Sequence, residues 1–167
     1  MLGKILDVVD RLIDKLSVGL MGFLLVLTFA NVIGRYVFIK SIFFAEELAR
    51  FLFIWIVFLG AAIIIKTNGH IAVDLLPLKL KGKVAGLWLD LAINIGGIIF
   101  LVILFMGGIE LAGTMNIYTS PALGIPIGYV YWAVPVGSII MFLHTLQALF
   151  RLIKELRLKK TSPRQEK

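Results

Sequence analysis

Glu46-Glu47-Leu48-Ala49-Arg50 runs straight into Phe51-Leu52-Phe53-Ile54-Trp55, and no further charge follows until Lys66. Charged side chains thus open an apolar stretch long enough to cross a bilayer. Each charge inside hydrocarbon costs roughly 2.5–3.5 kcal/mol on insertion scales. A sequence that keeps them there must satisfy them with other groups in the membrane. The stretch reads as the start of a membrane span with a polar cluster that needs partners, inside this chain or outside it.

A span needs about 20 apolar residues to cross about 30 Å of hydrocarbon. Four segments pass that test: residues 17–38, 43–65, 87–109 and 129–150. The composition agrees, at 60% hydrophobic with a mean hydropathy of +1.00. Little chain is left for a separate soluble domain. The expected fold is an all-α integral membrane protein, one domain over residues 1–167, with four transmembrane helices. Ahead of them, residues 1–16 place Leu2, Ile5, Leu6, Val9, Leu12, Ile13 and Leu16 at helical spacing, with Lys4, Asp7, Asp10, Arg11, Asp14 and Lys15 opposite. That pattern predicts an N-terminal amphipathic interfacial helix rather than a cleavable signal, resting on lipid or packed on protein.

The net charge of +7 is segregated, which argues against nucleic acid as a partner. Seven Lys/Arg fill the tail 151–167, four (Lys66, Lys79, Lys81, Lys83) lie between spans two and three, and three (Lys4, Arg11, Lys15) precede span one. The connection from Ala112 to Gly128 has none, and the first turn has only Lys40 with Arg35 just inside the helix. The positive-inside rule places both termini and the middle loop in the cytoplasm. The basic tail then meets anionic membrane lipids. The absence of cysteine excludes disulfides, thiolate metal sites and covalent c-type haem.

Spans one and two form a tight hairpin. Depth matching about residues 40 and 41 sets Arg35 level with Glu46, and Asn31 level with Arg50. Glu46 and Arg50 are also four apart in the favourable order. Asn31, Arg35, Glu46, Glu47 and Arg50 are therefore expected to form one charged network that locks the hairpin. An ion path would need polar groups reaching the other side, and span two has none between Arg50 and Lys66. On the wheel of span two, Glu46, Arg50, Val57, Gly60, Ala61 and Ile64 share a side that suits close helix packing. Phe44, Phe51, Trp55 and Phe58 share the other. Lipid contact is one reading of that aromatic side, and a subunit interface at Phe51, Trp55 and Phe58 is the other. In span three, Asp90 and Asn94 begin a stripe expected to face protein. In span four, Pro135 is expected to weaken the helix locally, while Tyr129, Tyr131 and Trp132 mark the outer interface.

No catalytic set, metal cluster or phosphate-binding glycine loop stands out, so no enzyme and no cofactor are expected. His70 and His144 are the only histidines, and His70 falls in a loop, which counts against a bis-histidine haem. His70 and Asp74 are four apart in Gly69-His70-Ile71-Ala72-Val73-Asp74. A metal pair is conceivable there, but a local hydrogen bond capping the loop suits the spacing better.

The run Glu46-Glu47-Leu48-Ala49-Arg50, then Trp55, Gly60-Ala61-Ala62 and His70-Ile71, resembles the small, Q-type (DctQ-like) membrane subunit of TRAP transporters, the tripartite ATP-independent periplasmic transporters of bacteria. The likeness reaches back to Asn31 and Arg35-Tyr36. It reaches forward to Ser120-Pro121-Ala122-Leu123-Gly124-Ile125-Pro126 and Val134-Pro135-Val136-Gly137. The resemblance implies a multi-pass protein of the bacterial inner membrane with cytoplasmic termini, partnered by a large M-type permease and a periplasmic substrate-binding protein. It implies a scaffold for sodium-coupled uptake of organic acids, of the C4-dicarboxylate or sialic acid class, with the sodium sites in the partner. A self-sufficient homo-oligomeric small transporter or channel is the alternative.

Overall fold

The computed structural model describes residues 2–39, 42–68 and 84–161. The helices are α1 (Leu2–Tyr36), α2 (Ala45–Asn68), α3 (Val84–Met115), the short α4 (Gly128–Tyr131) and α5 (Ala133–Thr161). Stretches long and apolar enough to cross a membrane run through Val9–Tyr36, Ala45–Lys66, Leu91–Met115 and Gly128–Lys154. The chain is an all-α protein of the membrane-spanning type. The helices alternate in direction, so Asn31, Arg35, Glu46 and the α3–α4 loop share one end, called here the loop end. Asp10, Lys66 and His144 share the other, the tail end.

The N-terminal stretch is helical and continuous with the first span: α1 runs unbroken from Leu2 to Tyr36. The reason is a single packing register across the expected junction. Ile13, Ser17, Leu20, Leu24, Leu27, Asn31 and Gly34 recur at alternating steps of four and three, and every other residue from Arg11 to Gly34 is exposed. That is a heptad seam, the spacing by which one helix lies along another at a shallow angle. Helix α1 uses it to pack chiefly on α2.

The core lies where α2, α3 and α5 meet. Ala62, Leu101 and Met141 are buried there, with Phe58, Ala61, Ile65, Leu104, Ile140 and Phe142 packed around them. Gly137 on α5 lets α2 come close: a Cβ at that position would lie 2.9 Å from the Phe58 Cβ and 3.2 Å from the Phe58 carbonyl oxygen. Pro135 falls where the fourth span, Gly128–Lys154, is locally interrupted, as expected. It sits in the first turn of α5, which begins at Ala133 after a break at Trp132. In that position the missing N–H costs little, since first-turn amides have no partner within the helix. The membrane-depth hydroxyls of Thr28, Thr114, Ser138 and Thr145 each donate to the carbonyl four residues back. Hydrocarbon offers no water, so this is how a span satisfies them.

Candidate functional site

The loop end is assembled from the hairpin and the α3–α4 connection. Asn31 turns its carboxamide oxygen to the hairpin, where it accepts the N–H of Ile42 at 2.9 Å. Helix α2 then starts with the Ala45 N–H on the Ile42 carbonyl. Glu46 and Glu47 occupy the first turn, where carboxylates complement the helix dipole. Arg35 lies 3.8 Å from Glu46, with both side chains well exposed. Glu47 reaches elsewhere: its Oε2 accepts the N–H of Ala122 at 2.9 Å.

That hydrogen bond holds a loop that is already closed on itself. Ser120 donates its N–H to the Ile125 carbonyl, Gly124 donates back to the Ser120 carbonyl, and Ile127 donates to the Tyr118 carbonyl. The Ser120 hydroxyl accepts the N–H of Leu123 at 3.0 Å. Gly124 supplies the left-handed turn, at φ +67°, which a glycine adopts without strain. The loop therefore stands as a rigid, uncharged shelf above the bundle, with Ile117 and Tyr118 exposed on it.

The five residues expected to form one network are thus divided. Arg35 and Glu46 face each other, Asn31 serves the turn, and Glu47 serves the shelf. No ion pair joins Glu46 to Arg50, and Arg50 projects outward without a hydrogen bond or ion pair among the described residues. The aromatic side of α2 is also placed differently. Phe51, Trp55 and Phe58 are half-buried in the bundle, and Phe58 rests on Gly137. Phe58 is a packing residue of this chain rather than a free docking surface. The His70 and Asp74 motif and the Asp90 side chain lie outside the described residues.

A second polar cluster, at the tail end, escaped the sequence reading. Asp10 is buried on the α1 seam and holds two partners. Its Oδ2 lies 2.8 Å from the Lys66 Nζ, and its Oδ1 lies 2.9 Å from the His144 Nε2. One carboxylate therefore ties α1 to α2 and to α5. The only signal was register: Asp10 precedes Ile13 by three and so extends the heptad seam, whereas Asp7 and Asp14 do not.

Between the two ends α2 and α3 are apolar. Helix α2 is wholly apolar from Phe51 to Ile65, and α3 is wholly apolar from Ile95 to Ile109. The hydroxyls of Thr28 and Ser138 in that zone are turned onto their own helices. Among the described residues no chain of polar groups links the loop end to the tail end.

These features define a class: a small multi-pass membrane protein with polar ties at both ends and a continuous apolar middle. A family model described as "Tripartite ATP-independent periplasmic transporters, DctQ component" matches residues 24–155. The chain belongs to that family, a component of transporters. It is also similar to a protein of Haemophilus influenzae named as a TRAP transporter small permease protein, with 26% identity over 152 residues, covering 91% of this chain and 92% of that protein.

Proposed function

We propose that this chain is the small permease subunit of a TRAP transporter and works as a scaffold for the large M-type permease. In this reading the large subunit carries the substrate and sodium sites, and a periplasmic binding protein delivers an organic acid of the C4-dicarboxylate or sialic acid class. The chain lies in the bacterial inner membrane with both termini cytoplasmic. The loop end then faces the periplasm.

One observation carries the reading beyond family membership. The apolar middle of α2 and α3 offers an acid or a sodium ion nothing to replace its hydration shell. A carboxylate or cation that crosses the membrane needs such groups along its way. The rigid shelf at the loop end and the Asp10 tie that joins α1, α2 and α5 suit a brace for a moving partner.

The test is affinity purification of this chain from membranes that also contain a large M-type permease from the same organism. The reading expects the two to co-purify in detergent at a fixed ratio. Recovery of this chain alone, with the large permease left in the unbound fraction, overturns it.

A further inference from the structure

Helix α2 carries a second heptad seam that no described part of the chain covers. From Ala45 to Val57 its exposed residues are Glu46, Arg50, Phe53 and Val57, and these alone. They follow one another by four, three and four residues, the same alternation by which α1 packs on α2. The next position in that register is Gly60, where a Cβ would meet nothing within 4 Å. The stripe is therefore a narrow outward seam, the width one helix covers, with a small residue at the place where a neighbouring backbone can come close.

We infer that this seam receives one membrane helix of the large permease, and that the arriving helix brings an acidic side chain to the level of Arg50. The inference rests on the function proposed above and adds the face and its chemistry. Its argument is charge complementarity. Of the described charged groups at the loop end, Glu47 is engaged by the Ala122 N–H, Glu46 faces Arg35, and Glu110 is exposed near the end of α3. Arg50 makes no ion pair among the described residues, although Glu46 lies one turn before it on the stripe; it stands five residues into α2, about 7.5 Å along its axis. A guanidinium facing hydrocarbon is costly, and a carboxylate on a helix packed into the seam supplies a bidentate partner. The exposed faces elsewhere differ. On α3 the outward residues Ile95, Ile99, Phe100, Val102, Ile103 and Met106 are apolar, as lipid contact requires, and the charged Glu110 comes only near its loop end. The α2 seam combines open space, helix-packing register and a charge with no ion pair among the described residues.

The test uses this chain produced together with the large permease, with a photoreactive benzophenone amino acid at Phe53 or Val57 and, as a control, at Ile103. Cross-links from Phe53 and Val57 to the large permease, and none from Ile103, are the expected result. In parallel, Arg50→Glu is expected to lower recovery of the large permease about thirtyfold or more, and Arg50→Lys to restore most of it. Size-exclusion behaviour of each variant alone confirms that it is folded. Three outcomes overturn the inference while the unmodified pair still co-purifies. Phe53 and Val57 label only lipid, or they link two copies of this chain, or Arg50→Ala binds the large permease as tightly as the parent. If the unmodified chain captures no large permease at all, the inference falls together with the proposed function.

Discussion

Glu47 Oε2 accepts the backbone N–H of Ala122 at 2.9 Å, a contact across 75 residues that fastens the first turn of α2 to the shelf between α3 and α4. The carboxylate is held on one element and the amide on another, so the bond reports whether the loop end is one rigid unit.

Glu47→Ala should release the shelf without unfolding the spans. A hydrogen bond to a charged group contributes about 1.5–3 kcal/mol. Amide exchange at Ala122, followed by mass spectrometry, should accelerate by about tenfold or more, while amides in α2 beyond Phe51 keep their protection. Glu47→Gln should lie between the two, since it keeps an acceptor and loses the charge. Unchanged exchange at Ala122 in Glu47→Ala would show that the loop holds itself through Ser120 and Gly124 alone.

Asp10→Ala should destabilise the bundle more than any other single change at the tail end. It removes the buried carboxylate shared by Lys66 and His144, and a hydrogen bond to a charged group contributes about 1.5–3 kcal/mol. Combining Asp10→Ala with Lys66→Ala should cost clearly less than the two changes added together, because the buried carboxylate that Lys66→Ala leaves unpaired is absent from the double variant. Thermal denaturation of the detergent-solubilised protein reads this directly. Strict additivity would mean that Asp10 and Lys66 are neighbours without being partners.

Gly137→Ala should loosen the α2–α5 contact, and Gly60→Ala should not. The new methyl at residue 137 meets the Cβ and carbonyl of Phe58, while the one at residue 60 enters open space. Overpacking of this kind costs about 1–3 kcal/mol. A drop in melting temperature for the first variant and none for the second, in the isolated subunit, is expected. Equal drops would place Gly60 inside the bundle.

Part of this arrangement was legible in the sequence. Four apolar stretches of spanning length are a matter of counting, and the facing of Arg35 and Glu46 follows from folding the hairpin at residues 40 and 41. The Glu47 contact was not legible, because its partner is a backbone N–H, which any residue other than proline supplies. Asp10 was hidden among Asp7 and Asp14 on what looked like a uniformly polar side. The wheel of α2 misled in an instructive way. It set Ala61 on the charged side, yet Ala61 packs in the core beside Phe58, and it could not say which side is buried nearer the loop end. Small residues suggest packing only if the small partner lies on the same helix. Here the glycine that admits Phe58 is Gly137, on α5, so an aromatic residue turned inward and the charged side turned out.

Topology has a direct test. Single cysteines at Thr119 and Ser162, each introduced into this cysteine-free chain, should react with a membrane-impermeant maleimide from opposite sides. Thr119 should label in intact cells once the outer membrane is made permeable, and Ser162 only after the inner membrane is opened. Labelling of both from outside would contradict cytoplasmic termini.

The central claim is that this chain supports transport by a partner and moves no solute itself. The most direct measurement is solute flux in proteoliposomes holding this protein alone, with sodium and organic-acid gradients imposed, beside vesicles that hold the large permease, the binding protein and this chain together. The account predicts background leak in the first and saturable, sodium-dependent uptake in the second. Saturable uptake by the chain alone would contradict it.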